Sequence, residues 1–296
     1  HGWVLGYNAT TLQQVLVYND TPNGGYGGGG IWQCGGGLAT DTTGDLYFTT
    51  SNGDFDVNTG GIDYGDSIMK LSTSGTVVDY FTPYNQSNLS ANNLDLGSAG
   101  PVLLVDQTGG PYPHLLVSAG KGGTIYVINR DNMGHFNANS DSQIVQELVG
   151  ALPNGDAEIG NFSAPVYFNG YAYFAAVNDT LKAFQLSNGV LSTGPTSQSA
   201  AIYPIRGGAF AVSANGNANG ILWAIQSNGA SADNPNAPGV LYAYDATNLA
   251  DELYDSTEAG SRDTMDLAAK FSIPLVANGK VFVGSQSKLT AYGLLP

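Results

Sequence analysis

Few side chains in this sequence could do chemistry, and they are scattered. Residues 54–58 read Asp54-Phe55-Asp56-Val57-Asn58, two carboxylates and an amide at alternate positions, which is how a calcium-binding loop begins. Gly60 comes one place later than such a loop requires and its twelfth position is Gly65, so Asp63 and Asp66 are the residues that would complete the shell. Asn52 offers another hard oxygen, or, with Gly53 behind it, makes a type I′ turn. Lys121 sits among Gly120, Gly122 and Gly123, either as a turn residue paired with a surface carboxylate or as a cation presented to an anionic ligand. Trp32 can face a planar ligand or pack between sheets. Asp95 can accept a proton or cap a turn.

Other chemistries are excluded or weak. His1, His114 and His135 have no ligand spacing, which argues against zinc. No Gly-x-Ser-x-Gly elbow is present. Cys34 is alone, so there is neither an intrachain disulfide nor a cysteine metal cluster; burial inside a sheet unit is expected, with an intermolecular contact as the alternative. The glycine-rich run 21–30 lacks the Lys-Ser/Thr and helix pattern of a phosphate loop.

A net charge of −15 with nine Lys and Arg argues against nucleic acid and anionic membranes, because so few cations cannot displace counterions from phosphates. No apolar run approaches the ~20 residues that span a bilayer, so no transmembrane segment is expected. The first residues, His1-Gly2-Trp3, carry no Met and no signal peptide, as in a mature, trimmed or partial chain. Six Asn-x-Ser/Thr sequons occur, a number that an Asn-, Ser- and Thr-rich chain reaches by chance.

The elements that must position these residues are short strands. Forty-one glycines, seventeen tyrosines and 11% charged residues suit strands joined by tight turns rather than long surface helices. The run 114–134, HLLVSAGKGGTIYVINRDNMG, reads as strand, glycine turn, strand, turn, and the same grammar returns in GDLYFTTSNG, GYAYFAAVNDTLKAFQ and NGKVFVGSQSKLTAYG. The period of roughly 40–55 residues, with four strands in each, is that of β-propeller blades. The fold is predicted to be an all-β propeller, a single domain over 1–296, with units at 1–20, 31–83, 97–150, 160–194, 208–256 and 268–296. About five to six blades are represented, and the short first and last units suggest that N-terminal blades are lacking from a ring of about seven or eight.

The repeats resemble those of pyrroloquinoline-quinone propellers. The segment 28–56, GGGIWQCGGGLATDTTGDLYFTTSNGDFD, resembles the stretch of quinoprotein alcohol dehydrogenases in which a Trp precedes a strand pair ending in Gly-Asn. The segment from Lys121, KGGTIYVINR, resembles that family's Lys-x-Gly-x-x-Tyr-Val-x-x-Arg run, and 80–104 resembles the connection between the two. The nearest overall likeness is to secreted bacterial repeat proteins of undefined activity. The resemblance implies that Trp32 forms the quinone floor, Asn52 is a calcium ligand, Asp95, or less readily Asn85, stands at the catalytic base and Lys121 contacts the quinone. It also implies an extracellular or periplasmic location. The family's adjacent-cysteine ring cannot form from Cys34, and the acidic cluster and Trp usual around the catalytic aspartate are missing from 82–95.

The expected function is therefore a secreted, non-catalytic binding or scaffold propeller, with a protein or carbohydrate ligand taken by loops such as 21–30 and 85–93. The alternative is a dehydrogenase of alcohols or sugars that depends on calcium and pyrroloquinoline quinone. Open edge strands on the end sheets would admit a companion chain or self-assembly.

Overall fold

The computed structural model describes residues 1–23, 25, 28–107, 109–155, 159–227 and 238–294. Three residues of the glycine-rich run 21–30 thus lie outside the described set. The described residues form six sheets in sequence order, antiparallel but for one added strand, numbered here as blades 1–6. Blade 1 has two strands, Trp3–Tyr7 and Gln14–Asn19. Blade 2 is Ala39–Thr40, Leu46–Thr49, Ile68–Leu71 and Val77–Thr82, with His135–Phe136 added in parallel along its outer edge. Blade 3 is Val102–Leu103, Leu115–Ala119, Ile125–Asn129 and Gln146–Leu148. Blades 5 and 6 hold four and three strands between Gly208 and Tyr292.

Blade 4 differs from its sequence-based outline. After Val166–Phe168, Tyr171–Phe174 and Asp179–Ser187, the short Val190–Leu191 pairs with the end of the third strand, and Ser197–Tyr203 continues along the rest of it. The outer strand therefore runs past residue 194, because the nine-residue third strand presents an edge longer than two residues can cover. A second difference is the helix α1, Gln86–Ala91, within the region read as a loop; it buries Gln86 and Leu89, three residues apart and so on one side of the turn.

Strand alternation builds the core. In blade 3, Leu115, Val117, Ala119, Ile125 and Val127 join Ala172, Phe174 and Phe184 of blade 4 in one buried cluster. The residues between them, Leu116, Tyr126 and Ile128, join Tyr47, Ile68 and Phe81 of blade 2 in another. The period of two thus sends alternate side chains to opposite neighbours, and both sheet faces are apolar. Blade 4 repeats the pattern: Ala172 and Phe174 face blade 3, whereas Tyr173 and Ala175 face Phe210, Leu222 and Tyr244 of blade 5. Val4 and Leu16 seat blade 1 on Phe48, Met69 and Leu71. The other face of blade 1 leaves Trp3, Leu5, Tyr7, Val15 and Val17 exposed.

Phe174 is fully buried and meets Phe184 edge-on, with 5.8 Å between ring centres. Phe174→Ala is expected to cost about 3–5 kcal/mol in urea unfolding, against less than about 1 kcal/mol for Val149→Ala on an exposed turn. Equal losses for the two would contradict stacking of the blades as the source of stability.

Candidate functional site

The segments that lead into the first strands of the blades, with the connections between the second and third strands of blades 2 and 3, converge on one cavity of about 860 Å³. His1 and Trp3 come from blade 1, Trp32, Cys34 and Asn52 from blade 2, and Asp95 and Lys121 from blade 3. Phe162, Arg206 and Lys270 come from the entries to blades 4, 5 and 6. Four residues singled out in the sequence, Trp32, Asn52, Asp95 and Lys121, therefore share a wall although they span 90 positions.

Glycines bring the backbones together. Gly28 forms an antiparallel bridge with Gly53, and the Gly29 N–H donates to the Asn52 carbonyl at 2.6 Å. A Cβ on Gly53 would stand 2.5 Å from the Gly29 nitrogen, so only glycine permits the contact. Neither Asn52 nor Gly53 has the positive φ that a type I′ turn needs. The turn reading of Asn52 is replaced by a long-range pairing that points its side chain at Asn93, whose Oδ1 accepts from Asn52 Nδ2 at 2.9 Å. Residues 33–36 then cross the centre. The Gly35 Cα, at φ +90°, lies against the Phe271 carbonyl, and Gly36 lies against Ala164.

Lys121 is buried rather than a surface turn residue. Its ammonium pairs with Asp95 Oδ2 and donates to the Asn93 carbonyl at 3.3 Å. Asp95 Oδ1 accepts from the Asn52 N–H at 3.2 Å. Asp95 precedes the short 3-10 turn Leu96–Ser98, but its side chain makes no capping bond there; it turns to Lys121 and Asn52 instead. The Asn52 side-chain oxygen is buried with no hydrogen-bond partner. Trp32 does not pack between blades: it is 66% exposed and rests on Gly30 at the cavity rim. Cys34 likewise lies in the crossing segment rather than inside a blade, and burial pushes its thiol up to about 11 despite Lys270, Lys121 and Arg206 nearby.

Cations and aromatic rings dominate the far wall. The Lys121 ammonium and the Arg206 guanidinium carbon lie 5.6 and 5.7 Å from the centre of the Phe162 ring. Lys270 lies 5.0 Å from the Phe271 ring centre, and the two phenylalanines stack at 6.3 Å. Sequence reasoning missed Phe162, Arg206, Lys270 and Phe271. A signal existed for the rings, the recurrence of Phe-Ser-x-Pro at 162–165 and 271–274. The two cations carry no such mark.

The residues of the calcium-loop reading go elsewhere. Phe55 bridges Tyr64, and the carboxylate of Asp56 accepts the Asp63 N–H at 2.9 Å inside that turn. Asn58 is exposed, and neither it nor Asp54 or Asp56 lines the cavity. Among the described residues, the one group of three acidic, His or Cys side chains with ligand atoms close enough for a metal is Glu252, Asp255 and Glu258, on the outer part of blade 5. Among the oxygens that the described lining offers to a calcium are Asn52 Oδ1 and the Asp95 carboxylate, a fit for part of the shell of six to eight that calcium takes.

No family model and no curated protein sequence matches this chain. Solved structures do. The quinohemoprotein alcohol dehydrogenase from Comamonas testosteroni aligns over 95% of this chain and 52% of its own, at 14% identity and a TM-score of 0.55. The quinohemoprotein alcohol dehydrogenase ADHIIG from Pseudomonas putida HK5 aligns over 95% and 51%, at 14% identity and a TM-score of 0.54. The fold is a β-propeller of this type. The chain spans about half the length of these two enzymes. No helix among the described residues is long and apolar enough to cross a membrane.

Behind the cavity wall, Asp66 is fully buried; its Oδ1 accepts the Leu96 N–H at 3.1 Å and its Oδ2 has no partner. Burial above all, with the nearby Asp95 charge, pushes its carboxyl up to about 8 from an ordinary 3.8. Because the folded state holds this proton and the unfolded chain releases it, stability is expected to fall as pH rises from about 4 to about 8 in metal-free protein. Asp66→Asn should flatten that slope in urea midpoints taken across the range; an unchanged slope would show that Asp66 is ionised in the fold.

Proposed function

We propose that this propeller is a binding module whose central cavity takes a planar aromatic anion, with pyrroloquinoline quinone as the ligand. The observation that carries the reading is the concentration of charge. Three of the nine Lys and Arg residues in a chain of net charge −15 line this one cavity, and among the described residues one carboxylate, Asp95, lines it with them. Aromatic faces accompany them at Trp32, Phe162 and Phe271. Cations attract and orient carboxylates and quinone oxygens, while flat rings supply apolar area to a flat ligand. An extracellular or periplasmic setting belongs to the same proposal and rests on the resemblance to secreted repeat proteins.

A dehydrogenase is the second reading, favoured by the unpartnered Asn52 oxygen beside Asp95 and Lys121. When bound, the quinone would supply the hydride acceptor and calcium the Lewis acid. Asn52 and Asp95 would hold the cation, Lys121 the quinone edge and Trp32 one ring face. The binding reading is preferred because both Asp95 oxygens are already engaged, one by Asn52 N–H and one by the Lys121 ammonium.

Titration with pyrroloquinoline quinone, followed by absorbance and tryptophan fluorescence with and without calcium, tests both. Saturable binding that weakens about tenfold or more in Lys270→Ala and in Trp32→Ala is expected. Dye-coupled oxidation of alcohols and aldoses then separates the readings: absence of turnover supports the binding module, whereas calcium-dependent turnover that disappears in Asn52→Ala supports the enzyme. No binding by the folded protein overturns both.

A further inference from the structure

At the opposite end of the same strands, blades 2 and 3 enclose a second cavity of about 410 Å³. Leu115–Ala119 runs from this cavity, at His114, to the central one, at Lys121, so the two lie on opposite faces of the propeller. Its floor is made by Tyr47, Leu104 and Arg130, all buried. Its rim is made by Asp106, Asp131 and His114, all exposed to some degree.

Arg130 is the organising group. Its side chain is 8% exposed, and its Nε donates to the Leu115 carbonyl at 3.2 Å. The two terminal nitrogens stand 3.9 Å from Asp41 Oδ2 and 3.5 Å from Asp106 Oδ1, too far for good hydrogen bonds. Asp41 is held rigidly. Tyr47 OH donates to its Oδ2 at 2.8 Å, and Thr43 and Asp45 N–H groups donate to its Oδ1 at 2.9 and 3.1 Å. Against the opposing effect of burial, these bonds from Thr43, Tyr47 and Asp45 keep its carboxyl down at about 2, so it is an acceptor at any working pH. Lys70 is tied to the Arg130 carbonyl at 3.2 Å and to Asp45 at 3.5 Å. His114 is tied to both Asp131 oxygens at 2.9 Å.

The cavity thus alternates fixed donors and fixed acceptors with gaps between them. A free anion would meet Asp41, Asp106 and Asp131, and a free cation would meet Arg130 and Lys70. A hydroxyl group suits the gaps, because it accepts from the guanidinium and donates to the carboxylate at once. Several hydroxyls on one compact ring would fill several gaps, with Leu103 and Leu104 against the ring's C–H face. The volume lies in the range of small-ligand sites, which starts at about 300 Å³. We propose that this cavity is a binding site for a neutral sugar ring, independent of the central cavity.

Saturation-transfer NMR and calorimetry on the whole chain test it, with methyl α-D-glucopyranoside, methyl β-D-xylopyranoside and, as anions, acetate and inorganic phosphate. Saturable binding of a glycoside near ~1 mM is expected, since few contacts are fully buried. It should weaken at least ~10-fold in Arg130→Lys, which loses the fork geometry, and measurably in Asp106→Asn, a rim change that leaves the core intact. Lys270→Ala, in the central cavity, should leave it unchanged. Binding of acetate or phosphate in place of the glycosides, glycoside binding indifferent to Arg130→Lys and Asp106→Asn, or no saturable binding at all would each overturn the proposal.

Discussion

Everything in this molecule depends on strands that bury both of their faces. A sheet with one wet face can end anywhere, but a blade whose alternate residues point to two different neighbours must be sandwiched. Leu116 and Val117 are adjacent in sequence and belong to different cores. Stacking sheets in this way turns the chain around an axis, and the loops at one end of the blades, entries and second-to-third-strand connections alike, are thereby gathered at the centre. The central cavity is a consequence of that geometry before it is a feature of any one residue. The same constraint leaves the outward face of blade 1, with Trp3, Leu5 and Val17, apolar and uncovered.

Electrostatics then gives the two ends of the stack different characters. The chain is strongly acidic, yet Lys121, Arg206 and Lys270 meet at one end, where phenylalanine faces steady them. At the other end, Arg130 is surrounded by aspartates and lies over the Tyr47 ring. Both arrangements place a cation on an aromatic face, a favourable contact that adds to the ion pairs of Lys121 with Asp95 and of Arg130 with its aspartates. The cavities differ in their described lining: three cations with one carboxylate at the centre, and a mixed set of donors and acceptors between blades 2 and 3.

Much of the architecture was legible in the sequence, because blade strands carry their pattern locally: short β-branched and aromatic runs, glycine turns and a repeat of blade length. Lys121 and Trp32 were legible as candidate site residues through their motifs. Their surroundings were not. Lys121 looked like a surface turn residue because its partner, Asp95, lies 26 positions away. Asn52-Gly53 looked like a hairpin turn because local propensity favours one; the pairing of Gly53 with Gly28 overrides it. The outer strand of blade 4 ran further than its sequence pattern because edge pairing with Asp179–Ser187 decided its length.

What the sequence by itself determined, then, is the all-β repeat, the acidic balance and the identities of the side chains on the glycine turns, all of which follow from local propensity and composition. What only the tertiary structure decided is company. Arg206 and Lys270 have no motif, and no spacing in the chain marks them as neighbours of Lys121. They meet because the entries to successive blades converge on one axis, and convergence is a property of the stacked sheets rather than of any segment within them.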